Sequence, residues 1–170
     1  EVIRERCRVS AGSASECDSR AKSAREEYVK SNPFGILTIP KYDSKEWFES
    51  GQEKIEGEYK AGQKDGTWTE YYANGEKKSV ESYADGRPDG KWTLWYANGN
   101  TKQESEWEEG TLTGKWTEWF ADGQKSMEGE IEEGKSTGKW VEWFADGTKS
   151  FEGTRKRSIT KEKWTVWHER

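Results

Sequence analysis

The sequence predicts an all-β repeat protein. We expect an elongated, twisted antiparallel sheet of stacked 24-residue β-hairpins in about five copies, with an N-terminal helical segment. Two observations predict this fold. Aromatic residues and glycines recur every 24 residues without a slip, and four copies place Asn-Gly or Asp-Gly between two short stretches rich in β-forming residues. No copy carries an apolar stripe with the 3.6-residue period of a helix.

The composition indicates how such a sheet is stabilised. Only 30% of the residues are hydrophobic and 36% are charged, a balance that by itself favours disorder. The chain nevertheless contains 11 Trp, 7 Tyr and 5 Phe, residues that disordered chains lack. Each ring can bury ~150–250 Å² of surface. The sequence therefore predicts a core of aromatic rings in place of aliphatic side chains.

Three aromatic columns share the 24-residue period. The first column is Trp68, Trp92, Trp116, Trp140 and Trp164, and the third is Tyr72, Tyr96, Phe120 and Phe144. The second column is Tyr71, Trp95, Trp119, Trp143 and Trp167. Because side chains alternate between the two faces of a strand, the first and third columns share one face, which we predict to be the structural core. The second column lies on the opposite face and is the candidate interaction surface.

The Asn74-Gly75 dipeptide predicts the pairing within one hairpin if it forms a two-residue type I′ turn. The pairs are then Ala73 with Glu76, Tyr72 with Lys77, Tyr71 with Lys78, Glu70 with Ser79, and Trp68 with Glu81. A three-residue loop with a bulge is the alternative, and it would shift every pair by one residue.

This pairing has consequences for both faces. The position of Glu81 is glycine in three copies (Gly57, Gly129 and Gly153), which leaves room for the cross-strand Trp ring. On the other face Lys78 and Lys102 would cover the rings of Tyr71 and Trp95 with a cation–π gain. A single sheet also has open edges and an exposed face, so we expect a partner or a cap.

Residues 1–40 do not share the repeat and form a separate segment before the repeat domain at 41–170. Ala14 to Lys30 is rich in helix-forming residues, with Ser13 as its N-cap and Glu16 at the capping-box spacing. Asn32-Pro33 ends the predicted helix. We expect this segment to cap the sheet or to anchor the protein to a larger assembly.

The two cysteines, Cys7 and Cys17, bear on localisation. A flexible Ser- and Ala-rich stretch separates them, so they can form a disulfide if the protein is exported, and they are free thiols otherwise. The chain begins at Glu1 and not at Met, for which a cleaved export signal is one explanation. These features favour a periplasmic, secreted or envelope-associated protein over a cytoplasmic one.

Several classes of function are disfavoured. The net charge of −5 and the pI near 5.2 argue against nucleic acid as a partner, and no apolar run is long enough for a transmembrane segment. Gly129–Ser136 fits the phosphate-loop pattern, but a repeat strand follows it and Glu132 and Glu133 would repel phosphate. His168 is the only histidine. We expect no enzyme activity, cofactor or metal.

At residues 114–134 and 57–75 the sequence resembles the bacterial variant of the MORN repeat, with Gly-x-Trp-x-x followed by two aromatic residues and a glycine return. The resemblance covers about residues 42–170. It departs from the pattern at Ile131, Arg155 and Ser158. The resemblance implies a solenoid of β-hairpins used for protein contacts, and it implies no catalytic residues. Many bacterial proteins with this variant are classed as antitoxin or immunity proteins.

The leading hypothesis is a non-enzymatic protein–protein interaction module. It would be an accessory structural subunit of a multi-subunit complex, exported or associated with the envelope, and any contact with a membrane would be peripheral and through a partner. One alternative, from the resemblance, is a toxin-neutralising protein. A second alternative is a cell-wall carbohydrate- or choline-binding repeat protein, since such repeats also use Gly-x-Trp hairpins.

Overall fold

A computed structural model describes residues 41–155 and 164–167. All of the regular structure in these residues is β-strand, which confirms the predicted all-β repeat. The strands are β1 (Lys41–Trp47), β2 (Glu53–Lys60), β3 (Gln63–Tyr71), β4 (Lys77–Ala84), β5 (Arg87–Pro88), β6 (Gly90–Trp95), β7 (Thr101–Glu108), β8 (Thr111–Trp119), β9 (Lys125–Glu132), β10 (Lys135–Trp143), β11 (Lys149–Arg155) and β12 (Trp164–Val166). The predicted helix over residues 14–30 and both cysteines lie outside the described residues.

The strands form one open antiparallel sheet in which spatial order follows chain order. The sheet runs from β1 to β12, and the short β5 pairs with β4 just before β6 begins. Apart from the short β5, each strand contacts its neighbours in this order. Nearest-neighbour contacts of this kind define a repeat protein, so the predicted stacking of hairpins is confirmed.

The Asn-Gly and Asp-Gly turns are three-residue loops, which corrects the predicted two-residue turn. Gly75 donates its amide to the carbonyl of Tyr72 (2.9 Å), and the Tyr72 amide donates to the carbonyl of Glu76 (2.8 Å). Only Gly75 in this loop has a positive φ, at 88°, whereas a type I′ turn needs two such residues. Asn74 instead uses its side-chain oxygen to accept the Glu76 amide at 3.1 Å.

A second irregularity restores the predicted register on the inner part of the hairpin. Tyr71 pairs with Lys77, and not with Lys78 as predicted, but Glu70 then pairs with Ser79 and Trp68 with Glu81 as predicted. The extra residue of the loop is thus compensated by a bulge one pair further along. The predicted pairs at Tyr72 and Ala73 are wrong for the same reason.

Two-residue turns with two positive φ values occur at the opposite end of the sheet. Ala61, Asp85, Glu109 and Glu133 have φ of 47–53° and each precedes a glycine with positive φ. These turns join each return strand to the next Trp-bearing strand, with Lys60 paired to Gln63 in the first. Both central residues of these turns have the positive φ of a type I′ turn. The sequence predicted that turn type at the other end of the sheet, at Asn-Gly and Asp-Gly.

Two rings of the first aromatic column lie against glycines of the neighbouring strand. A Cβ atom built on Gly57 would lie 2.2 Å from the Trp68 ring, and one on Gly129 would lie 2.2 Å from the Trp140 ring. The Trp68 indole also donates to the carbonyl of Glu58 at 3.2 Å. The glycines make room for a Trp ring as predicted, but the ring nearest to Gly129 comes from the following strand and not from its register partner Trp116.

We call the face that carries the first and third aromatic columns the Trp face. Rings on this face form a chain of contacts from β1 to β7, with centroid distances of 4.8–5.4 Å. The chain comprises Tyr42, Tyr59, Trp68, Tyr83, Trp92 and Trp107, with the Lys64 ammonium between Trp68 and Tyr83. In the described part Trp68 and Trp140 are only 5% and 3% exposed, although no second layer covers them.

Six further residues of the predicted core are less deeply placed than Trp68 and Trp140. Trp92, Trp116, Tyr72, Tyr96, Phe120 and Phe144 are half-buried. Tyr72 and Tyr96 donate their hydroxyls to the carbonyls of Trp95 and Trp119, both at 2.8 Å. Trp164 begins β12 opposite Gly153. The third column therefore links each hairpin to the next.

Replacing Gly129 by alanine should destabilise the protein by about 1–3 kcal/mol, because the new Cβ would overlap the Trp140 ring and force it off the strand. Denaturant unfolding monitored by far-UV circular dichroism measures the change. The control is Glu130→Ala, the exposed neighbour on the other face, for which we expect a change within about 0.5 kcal/mol. Equal stability of the two variants would contradict the role assigned to the ring.

Candidate interaction surface

We call the face opposite the Trp face the Thr face, after the threonines that recur on it. It carries the second aromatic column, one ring on every second strand, which sets successive rings about 9–10 Å apart. Tyr71, Trp95, Trp119 and Trp143 are half-buried, and Trp167 is 40% exposed. The structure thus arranges the five residues of the predicted surface as one line along the turn end of the sheet.

One register row crosses the Thr face beside this column. It consists of Lys45, Glu56, Thr69, Val80, Thr93, Glu104, Thr117, Glu128, Val141, Glu152 and Thr165. Strands β3, β6, β8, β10 and β12 contribute Thr or Val to the row, and the return strands β2, β4, β7, β9 and β11 contribute glutamate in four of five cases. Thr69, Thr117 and Val141 are buried. Along the row, glutamate carboxylates therefore alternate with Thr and Val side chains, three of which are buried.

Each glutamate of this row is held by lysines. Glu104 pairs with Lys91 at 2.8 Å. Glu128 lies 2.7 Å from Lys125 and 3.7 Å from Lys115, and Glu152 pairs with both Lys139 and Lys149. Lys91, Lys115 and Lys139 are spaced 24 residues apart, as are the glutamates. This second periodic pattern is present in the sequence, and it is the signal from which these ion pairs can be predicted.

The ion pairs change the acidity of several side chains. Hydrogen bonds from Lys139 and then from Lys149 lower the pKa of Glu152 to about 2. The hydrogen bond from Lys125 lowers the pKa of Glu128. At the other end of the face the Tyr71 hydroxyl donates to Glu56 at 2.7 Å, and this bond raises the pKa of Tyr71 to about 12. Glu128 and Glu152 are therefore ionised at neutral pH.

The predicted cation–π cover of Tyr71 and Trp95 does not form. Lys78 bonds to Glu70 at 2.8 Å, and the Lys102 ammonium lies 5.7 Å from the centroid of the Tyr96 ring on the Trp face. The reason is the bulge, because it places Lys77 opposite Tyr71 and turns Lys78 away.

An open depression of about 370 Å³ lies on the Thr face between β8 and β11. Trp143 and Val141 contribute its apolar lining. Its charged lining consists of Lys115, Glu128, Glu130, Lys139 and Lys149. A shallow surface of one ring and mixed charges suits contact with another molecule, and it supplies no nucleophile beside a base.

Two repeated glutamates lie outside this surface, and the stretch that fits the phosphate-loop pattern forms a hairpin. Glu70 and Glu142 lie on the Trp face, where Glu142 is 4.0 Å from Arg155. Gly129–Ser136 spans the hairpin between β9 and β10, so a strand and not a helix follows the phosphate-loop pattern. Within residues 41–155 and 164–167 no three His, Cys, Asp or Glu side chains are grouped to hold a metal ion. In the same residues no helix is suited to crossing a membrane.

The fold and this surface together define a class: a repeat protein whose single-layer sheet of β-hairpins presents surfaces and not a cleft. The pattern of the family described as MORN repeat variant matches residues 64–85 and 88–109. These two stretches contain the hairpins of β3 with β4 and of β6 with β7. Each of the two stretches is thus a MORN-variant repeat. None of the curated proteins compared with the chain matches it.

MORN repeats belong to a non-catalytic repeat family and generally mediate interactions with proteins or membranes. The hairpins of β8 to β11 follow the same strand, turn and register pattern as the two matched ones. The structure therefore extends the repeat beyond the stretches that the family pattern matches.

Replacing Glu152 by glutamine should lower the melting temperature at pH 7, because Lys139 and Lys149 lose their shared carboxylate. The pKa of Glu152, about 2 in the folded protein, lies below the unfolded value of ~4.3. Its stabilisation is therefore complete above pH ~4.3 and is lost as the pH falls toward 2. Thermal unfolding across this range should show the difference from wild type vanishing near pH 2.

The variant Glu130→Gln removes a carboxylate from the same face and controls for loss of charge alone. A melting-temperature difference between Glu152→Gln and wild type that stayed constant from pH 7 to pH 2 would show that the two ion pairs do not stabilise the fold.

Proposed function

We propose that this protein is a non-enzymatic docking module that binds another protein on the open faces of its sheet. The observation that carries the proposal is the single layer: over the described residues the sheet has rings on both faces and no second layer over either. A rigid surface with regularly spaced rings loses little conformational entropy on binding. Aromatic side chains on such a surface supply most of the binding energy in protein interfaces.

The Thr face is the docking surface in this proposal. Trp95, Trp119 and Trp143 provide apolar contact area along one line, and the Glu–Lys pairs beside them provide alternating charges. Charged groups of this kind fix the register and orientation of a partner more than they add affinity. The surface would thus select a partner that matches both the line of rings and the row of charges.

We further propose that the module is an accessory structural subunit of an exported or envelope-associated assembly. The cysteine pair supports this part of the proposal, since a disulfide between Cys7 and Cys17 requires an oxidising compartment. Mass spectrometry of protein alkylated directly in its native compartment should find the two cysteines bonded. Finding both fully reduced would contradict export and would leave the docking proposal standing.

Trp119→Ala should weaken partner binding roughly tenfold or more, as expected for an interface hot spot, while the melting temperature changes little. The partner is the protein that co-elutes on native purification and is identified by mass spectrometry. Binding is then measured by titration. The matched control is Trp116→Ala, on the same strand but on the Trp face, which should lower stability and leave affinity nearly intact.

Loss of stability with intact affinity in Trp119→Ala would contradict the docking surface. Titration of the wild type with choline or glycans, followed by Trp fluorescence, separates protein docking from the carbohydrate-binding alternative. A saturable fluorescence change with such a ligand would favour that alternative.

A further inference from the structure

A register row also runs along the middle of the Trp face. It consists of Glu46, Ile55, Glu70, Ser79, Leu94, Gln103, Glu118, Met127, Glu142, Phe151 and Val166. We call it the central row. The first aromatic column flanks it on one side and the third column on the other. Between β1 and β6 the row contains Ile55, Ser79 and Leu94, and its two carboxylates are Glu46 and Glu70.

The two faces differ in the desolvation free energy of placing another element on them. Over β1 to β6 of the Thr face a cover would remove water from the ion pairs of Lys41 with Glu58 and of Lys45 with Glu56, and that desolvation is unfavourable. Over the same strands of the Trp face a cover would remove water mainly from the chain of rings and from Ile55 and Leu94, which is favourable. The ion pairs that it would reach there are those of Glu46 and Glu70. The Trp face is therefore the better surface for an apolar element that lies on the sheet.

The chain contains such an element in the segment before β1. Within the predicted helix over residues 14–30 the residues Ala14, Cys17, Ala21, Ala24 and Tyr28 are spaced alternately three and four apart. This spacing places them on one side of a helix. Four of the five are small, so the helix can approach a sheet closely. Arg20 and Arg25 flank this stripe on its two sides.

The lengths agree with a helix that crosses the N-terminal half of the sheet. A helix of residues 14–30 is about 25 Å long, which matches about five strands at ~4.8 Å each. Residues 31–40 join it to β1 and can span up to about 33 Å. The C-terminal end of the helix then lies nearest β1. Cys17 lies about 20 Å from that end, over β4 or β6.

We propose that residues 14–30 form a helix on the Trp face over β1 to β6, with the stripe against the central row. Arg20 and Arg25 then lie near the carboxylates of Glu46 and Glu70, whose present partners are Lys54 at 3.2 Å and Lys78 at 2.8 Å. The segment acts as an internal second layer for this half of the sheet. It leaves the Thr face open for the partner, so the inference goes beyond the docking function.

Cross-linking in the full chain tests the proposal, in a Cys7→Ser background where Cys17 is the one native thiol. A new cysteine is introduced as Leu94→Cys on the Trp face. The matched control is Thr93→Cys, its neighbour on the same strand and the opposite face; both positions are half-buried. A short bis-maleimide should join Cys17 to the cysteine at position 94 severalfold more efficiently than to the one at position 93, as measured by peptide mass spectrometry.

More efficient cross-linking at position 93 than at position 94, or no intramolecular cross-link at either position, would overturn the proposal. A second pair of variants tests the stripe itself: Ala21→Glu with Ala24→Glu should abolish the cross-link, and Ser23→Glu, on the far side of the helix, should preserve it. Loss of the cross-link in both would also overturn the assignment of the stripe. None of these outcomes depends on Trp119 or on the partner.

Discussion

The structure depends on one interaction, a Trp ring lying flat on the backbone of the neighbouring strand. Trp68 over Gly57 and Trp140 over Gly129 are almost fully buried although the described sheet is a single layer. The Trp68 indole N–H is also satisfied within the sheet. A large ring that packs on its own sheet replaces the second layer which most sheets need. This explains how the sheet forms in a chain with so few aliphatic residues.

The constant repeat length follows from the two ends of the sheet. At one end the Tyr72 hydroxyl and the Asn74 side chain reach the carbonyls of Trp95 and Ala97 in the next hairpin. At the other end the amide of Gly86 donates to the carbonyl of Lys64, 22 residues earlier. A residue inserted between the two ends would move one set of bonds relative to the other. The 24-residue period is therefore a condition for bonding at both ends at once.

The sequence allowed the fold to be predicted, but not its local geometry. The period and the alternation along strands sufficed to place Trp68 and Tyr71 on opposite faces. The prediction succeeded at Glu70 and Ser79 because the three-residue loop and the bulge at Lys78 compensate for each other. It failed for the cover of Tyr71, since a bulge reorients one side chain and its position is not encoded in the spacing. The Lys–Glu pairs of the Thr face are predictable from the sequence, because their lysines and glutamates share the 24-residue period of the aromatic columns.

The charges of the Thr face are best understood as determinants of specificity. Exposed ion pairs typically contribute ~0–1 kcal/mol each, so pairs such as Lys91 with Glu104 do little to hold the strands together. An open sheet with a ring on every second strand would, however, associate unspecifically if its surroundings were apolar. Charges of both signs between the rings make indiscriminate contact unfavourable, because each mismatched approach leaves ion pairs desolvated. A partner that supplies matching groups avoids this cost. The ion pairs of the Thr face therefore stabilise the fold only weakly, but they can determine which partner binds there.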